Sequence, residues 1–228
     1  ARLRMSLAEL YGTELPPSAA ERLRGAAAGL PLARLRLTAV PDGSGLDLDV
    51  ASLPVDPQIM FPPARNGARL RTVDRPGGHG AHKWVDRAGM NRPETGPGQL
   101  IRDDEELLEA GWANLFAVRE ATLWTPAADG RILAGTARAA VLAIAREAGV
   151  EARERPLRRA DLLEADEVFL TNSVRGVEPA VDLDGAPLGG CGPVSRRLAA
   201  GLRRRWGLDG SDGPAVPASA PRAGQLSR

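Results

Sequence analysis

The sequence predicts an α+β protein whose strands pair mainly as hairpins, divided into a small front domain and a larger second one. Three observations carry this. Short apolar stretches joined by turn residues recur at 32–50, 100–109 and 113–124, the spacing of hairpins. Stretches of helical period stand apart from them, in residues 2–29, at 138–148 and at 194–206. Between 54 and 67, four prolines and few apolar pairs read as a linker. The expected divisions are 1–55 for a small α/β domain incomplete at its start, 56–67 for the linker, 68–208 for the larger domain, and 209–228 for a tail. That tail is rich in Gly, Pro, Ser and Ala and is expected to be disordered.

In order, Leu3, Leu7 and Leu10 share one face of a first helix that Gly12 stops. Ser18, with Glu21 three residues on, suits a capping box for a second helix. Residues 32–40 and 46–50 form a hairpin across the turn-rich 41–45. A strand at 68–73 leads into a Gly-rich approach to Lys83, with a short helix expected at 85–92. After the two later hairpins comes a strong helix at 138–148, stopped by Gly149. A strand near 150–154, a short helix at 158–163, an apolar strand at 167–171 and an arginine-rich helix at 194–206 follow.

Composition narrows the chemistry. At 228 residues the chain buries a sizeable core, and with 43% hydrophobic but only 4% aromatic residues that core is mainly Ala, Leu and Val. A net charge of +1 makes no electrostatic case for nucleic acid or an anionic membrane. The single cysteine, Cys191, excludes an internal disulfide framework and a multi-cysteine metal site; no metal is expected. No apolar run reaches membrane-spanning length and no leader pattern is visible, so a cytoplasmic location is expected. The chain opens on Ala1 inside a helical pattern, which predicts further residues ahead of it.

Lys83 is the only lysine among 30 basic residues. The arginine bias most simply reflects a GC-rich genome, and a bias that spared one amine draws attention to it. A lysine between a glycine-rich loop and Trp84 suits an amine that points into a cavity and works partly deprotonated. Glu109 ends an apolar strand just before a small-residue turn, placing a carboxylate where it is readily buried. The run from Gly135 through Thr136 and Ala137 to Arg138 opens the strong helix, and free N–H groups at a helix start bind phosphate. Thr136 is equally read as a simple N-cap. Thr171, Asn172 and Ser173 follow a buried strand and offer hydroxyls and amides at its end. Taken singly each has a plainer reading: a solvated lysine, an exposed strand-end acid, an ordinary helix start, a polar loop. His79 and His82 flank the lysine as loop histidines without the company a metal site needs.

Together these residues resemble the signature of class IV pyridoxal-phosphate enzymes. That group includes branched-chain aminotransferases, D-amino acid aminotransferases and 4-amino-4-deoxychorismate lyases. Its signature positions are met by Glu109, Gly111, Asn114, Leu115 and Phe116, then by Leu123 and Thr125, then by Leu133, Gly135 and Arg138. Arg2, Leu3 and Ser6 are similar to the group's Arg-Leu-x-x-Ser helix, and residues 165–173 to its late strand and phosphate loop. The resemblance implies the D-amino acid aminotransferase-like fold with pyridoxal 5'-phosphate as cofactor, in a homodimer acting on a small amino substrate. It implies Lys83 as the Schiff-base lysine and Glu109 as partner of the pyridine nitrogen. Arg2, Gly135, Thr136, Ala137 and Ser173 are implied around the phosphate, and the backbone of Val174 and Arg175 at the substrate carboxylate.

Three departures stand out. Thr136 and Ala137 come where the group has an aliphatic residue and then threonine, so the hydroxyl sits one position early. The hairpin at 40–45 has Pro41 and no carboxylate-binding arginine. The strands that normally precede the arginine helix do not appear ahead of it. The run from Ser173 to Val177 and the missing hairpin arginine lean toward an aminodeoxychorismate lyase, with a branched-chain or D-amino acid aminotransferase as the alternative. A truncated, non-catalytic relative is the third reading.

Overall fold

Residues 2–43, 45–86 and 90–208 are described by a computed structural model. The first helix, α1 (Arg2–Tyr11), ends at Gly12, whose φ of +60° suits glycine. In the second, α2 (Ser18–Ala27), Ser18 does not cap. Pro17 already holds helical angles, φ −55° and ψ −32°, and occupies the N-cap position with no side-chain cap bond. The proline ring thus starts the helix one residue before the serine. β1 (Ala33–Pro41) and β2 (Leu46–Pro54) pair antiparallel over their full length. The turn between them is closed by the Gly45 N–H donating to Asp42 Oδ1 at 2.8 Å. Arg22 of α2 reaches the Leu48 carbonyl at 2.6 Å and fixes that helix to the hairpin. The proline-rich segment after β2 is not featureless, since it carries two short 3₁₀ turns, Pro57–Ile59 and Ala64–Asn66.

The rest of the chain builds a nine-stranded sheet. Its strands are β3 (Ala68–Asp74), β4 (Gly98–Asp103), β5 (Glu106–Ala110), β6 (Ala113–Arg119), β7 (Thr122–Thr125), β8 (Ala152–Glu154), β9 (Glu167–Asn172), β10 (Gly176–Leu183) and β11 (Ala186–Pro187). Six of them close a hydrogen-bonded circuit: β3 pairs with β4, β4 with β5, β5 with β6, β6 with β9, β9 with β10, and β10 with β3 again. Closure leaves these strands no exposed edge along the circuit.

β6 is buried on both faces, and its alternation assigns them. Ala113, Leu115 and Ala117 join Leu70, Leu100 and Leu170 in one core. Phe116 and Val118 join Phe169 in another, against α3 (Thr136–Glu147) and α5 (Pro193–Arg205). Phe116 and Phe169 face each other across β6 and β9 with rings stacked 5.1 Å apart. The short α4 (Arg159–Leu163) contributes Leu162 to the first core.

Two features differ from expectation. β10 and β11 are strands in a stretch, 176–187, where sequence predicts no element. β10 pairs with β9 through Pro179 and with β3 from Ala180 onward, so the missing proline N–H falls between two ladders and interrupts neither. The helix expected at 85–92 is absent from the described residues there, with 87–89 outside them. The expected tail, 209–228, also lies outside the described residues.

Glu167, 3% exposed, caps α5 by accepting from the N–H groups of Gly192, Val194 and Ser195 at 2.8–2.9 Å. Replacing it by alanine leaves the Val194 and Ser195 N–H groups without an acceptor, while Gly192 keeps Ser195 Oγ at 2.9 Å, and E167A should lose about 2 kcal/mol or more. Urea unfolding of the variant beside the parent measures that loss. Cys191 is mostly buried, and burial pushes its thiol up, so thiol reagents should label it slowly near neutral pH.

Candidate active site

Register, more than loop chemistry, assembles the site. Glu109 of β5 pairs with Asn114 of β6, and Asn114 pairs with Thr171 of β9. One row across three strands therefore carries an acid, an amide and a hydroxyl. Asn114 and Thr171 point to the same side as Phe116 and Phe169, the side covered by α3, at the end where that helix begins. The Asn114 amide nitrogen donates to Glu109 Oε2 at 3.0 Å and to the Leu133 carbonyl at 2.9 Å. The Leu133 N–H donates to Glu109 Oε1 at 3.1 Å. Glu109 is only 4% exposed, so the acid expected at a strand end is buried and held at both oxygens. A carboxylate has about four acceptor directions, which leaves it capacity for a further donor.

The same amide explains Gly135. A Cβ there would stand 2.0 Å from Asn114 Oδ1, although the backbone angles of Gly135 are ordinary. Gly135 takes the N-cap position of α3 with no side-chain cap bond, and Thr136 is the first helical residue. The first N–H groups of the helix, those of Thr136 and Ala137 among them, have no helical partner and point toward the cleft with the positive end of the dipole.

Two further segments close the cleft. α1 lies along it: Arg2 Nη1 donates to the Ala134 carbonyl at 3.2 Å, while Ser6 Oγ meets His82 Nδ1 at 3.0 Å. One helix thereby ties the loop before α3 to the loop of Lys83. The latter loop docks on Arg131, whose carbonyl accepts the N–H groups of His79 and Gly80. Only glycine fits at 78, with φ +69° and a Cβ position 2.2 Å from that carbonyl. Arg131 is in turn braced by Asp129 and Glu106, each at 2.7 Å, and by Asp103 at 3.3 Å. These partners, Asp129 foremost, raise its pKa, and Arg131 holds the Asp129 carboxyl below the usual aspartate range.

Arg2, Lys83, Glu109, Asn114, Gly135, Thr136, Ala137, Thr171 and Ser173 all line this one narrow cleft. Its volume is about 40 Å³, and it adjoins a cavity of about 330 Å³ across Thr136, Ala137 and Ser173. A coenzyme needs more room than the cleft alone offers. Lys83 lines the cleft while its residue as a whole is exposed. Thr171 Oγ1, on a residue 1% exposed, makes no hydrogen bond among the described residues. A buried hydroxyl on a cleft wall without a partner fits a polar ligand there. The donors, the acid and the amine thus fit a phosphorylated, nitrogen-containing ring.

Val174 and Arg175 stand differently. Val174 lines the adjoining cavity, while both of their backbone N–H groups donate to Asn172 Oδ1, at 2.9 and 2.8 Å. A substrate carboxylate would have to displace that side chain. His79, which sequence treats as a passive loop histidine, is 3.8 Å from Glu109, and both side chains are about 95% buried. Trp112, unmarked by sequence, lines the cleft with its ring packed on Gly98. Sequence marks His79 only as a neighbour of Lys83, and folding brings it to Glu109.

A family model, amino-transferase class IV, matches residues 1–183. The chain belongs to the class IV amino-transferases. Members of this family are pyridoxal-phosphate-dependent enzymes. Among curated relatives, the branched-chain-amino-acid aminotransferase of Salmonella typhimurium is 38% identical over 92 residues, 40% of this chain and 30% of the relative. The D-alanine aminotransferase of Listeria monocytogenes is 33% identical over 101 residues, 43% of this chain and 35% of the relative. The matched stretch thus spans about a third of the length of either. Among solved structures, the Escherichia coli branched-chain aminotransferase superposes with a TM-score of 0.71 at 24% identity, covering 92% of this chain and 77% of that one. A Legionella pneumophila protein assigned as a 4-amino-4-deoxychorismate lyase gives 0.74 at 20% identity, covering 89% and 83%. These two likenesses establish the fold. Among the described residues no group of side chains suits a metal ion, and no helix is long and apolar enough to cross a membrane.

Two outcomes test this geometry. G135A should push Asn114 off Glu109 and lose about 1–3 kcal/mol of stability, read by urea denaturation. The Asp129–Arg131 pairing should contribute fully above the unfolded aspartate pKa and fade as pH falls through the lower folded value. Protection of the Gly80 amide from hydrogen exchange, relative to a free amide at the same pH, should therefore fall only in strong acid.

Proposed function

We propose that this chain is a pyridoxal-phosphate enzyme acting on a small amino substrate, and that its reaction is the lyase one. It would convert 4-amino-4-deoxychorismate to 4-aminobenzoate and pyruvate. The observation that carries the cofactor assignment is that the only lysine lies on one cleft with a buried glutamate and the start of α3. When bound, the cofactor supplies an electron sink for bonds at the substrate carbon that bears nitrogen. Lys83 Nζ would hold it covalently, and it is the amine placed to take and return a proton at the substrate. Glu109, buried and braced by Asn114 and Leu133, keeps the ring nitrogen protonated. Arg2, Ser173 and the amides of Thr136 and Ala137, with Gly135 allowing close approach, hold the phosphate. The amides of Val174 and Arg175 receive the substrate carboxylate in place of Asn172 Oδ1.

The lyase reading rests on the Ser173–Val177 run and on the hairpin turn, where no arginine stands between Val40 and Gly45. Transamination of branched-chain or D-amino acids is the second reading, favoured by the curated relatives. We further propose a homodimer: the hairpin has only two strands, and its Val40 and Leu53 are 48% and 54% exposed. Light scattering on the purified protein should give twice the monomer mass.

Borohydride treatment of the cofactor-loaded protein should fix the cofactor to Lys83, mapped by peptide mass, and K83A should carry no adduct. An adduct elsewhere, or none on the parent, would favour a non-catalytic relative. R2Q should weaken cofactor binding by about 10- to 100-fold, the worth of one charge-assisted contact. The two reactions separate by product. Aminodeoxychorismate yielding 4-aminobenzoate supports the lyase, and amino-group transfer to 2-oxoglutarate supports the alternative.

A further inference from the structure

Outside the cleft, the molecule carries a second concave site rich in positive charge. Glu178 is fully buried at 0% exposure. Its Oε1 lies 2.6 Å from Arg92 Nε and 3.7 Å from Arg175 Nη1, and its Oε2 accepts from the Trp112 indole at 3.1 Å. Two guanidinium groups therefore share one carboxylate, leaving one uncompensated positive charge. Both arginine side chains are largely sheltered, at 26% and 20% exposure. They form the floor of a pocket of about 320 Å³ whose walls are Gln58, Ile59, Pro62 and Asn66. That pocket shares no lining residue with the cleft.

We propose that this pocket binds a small molecule bearing a single carboxylate. The volume is at the lower end of the range for small-ligand sites. A monoanion neutralises the excess charge, whereas a dianionic phosphate would leave the sheltered cluster net negative. Guanidinium groups match a carboxylate geometrically, and the cluster already holds one carboxylate, that of Glu178. Ile59 and Pro62 offer apolar contact to the body of the ligand, and the Gln58 and Asn66 amides offer polar contact at its rim. Burial lowers the Arg175 pKa and Arg92 lowers it further, against the pull of Glu178; a bound anion relieves that strain between like charges. Gln58 and Asn66 sit on the two 3₁₀ turns of the segment joining the hairpin to the barrel, so the ligand would bridge that segment to the barrel.

The test is a calorimetric titration of the purified protein with sodium benzoate at constant ionic strength, with and without pyridoxal phosphate. Saturable binding is expected in both conditions, which keeps this result independent of the cofactor assignment. R175Q should weaken it by about tenfold or more, R175K by less, and R2Q, in the cleft, not at all. Circular dichroism confirms that each variant is folded, and R175K keeps the test decisive if R175Q is not. Absence of saturation in the parent would overturn the proposal, as would undiminished binding in folded R175Q or loss in R2Q. A parallel titration with sodium phosphate that saturates where benzoate does not would overturn the monocarboxylate assignment.

Discussion

The Asn114 side chain is the contact on which the rest of the site depends. Its nitrogen bonds both the acid of β5 and the carbonyl before α3, and its oxygen lies where a side chain at 135 would be. Remove it and Glu109 loses a buried donor, Leu133 loses an acceptor's partner, and α3 loses the surface that sets its starting height. None of this is available to Asn114 as a loop residue. It is delivered by the register of a strand buried on both faces, where a one-residue slip would send the amide into the barrel core.

That dependence explains which signature positions face the ligand and which only build the frame. Thr125 is fully buried and donates to the Leu115 carbonyl at 2.7 Å, pinning β7 to β6. Arg138, 5% exposed, spans from the Pro126 carbonyl to Glu154, each within 2.7 Å, and fixes α3 to the strands beneath it. Gly111 leaves room for the backbone of Met90. Of the signature positions, Glu109, Gly111, Asn114, Leu133 and Gly135 reach the cleft. Half of what sequence presents as a catalytic pattern is therefore the scaffolding that keeps the cleft-lining residues in place.

How much was legible follows from the same division. The hairpins at 100–109 and 113–124, α3 and α5 could be read because alternation and helical period are local signals. The expected cofactor residues could be read because their spacing resembles a known pattern, and the fold does bring them to one cleft. What escaped was non-local. β10 is not predicted, since Gly176 and Pro179 carry no strand signal, and only the offset of its two neighbours makes a proline harmless there. Ser18 looked like a cap until Pro17 pre-empted it. The occupation of the Val174 and Arg175 amides by Asn172, the exposure of Lys83, and the burial of His79 beside Glu109 all depend on side-chain placements that no periodicity encodes.

The position of α1 carries a consequence for how the protein is made. Its anchors are Ala134, 132 residues downstream of Arg2, and His82, 76 residues downstream of Ser6. A ribosome adding about 5–20 residues per second delivers α1 roughly ten seconds before the later of those anchors exists. During that interval a ten-residue helix is too short to persist by itself. The cleft is thus closed last by a helix made before its other described walls, and that closure reports that the barrel has already formed.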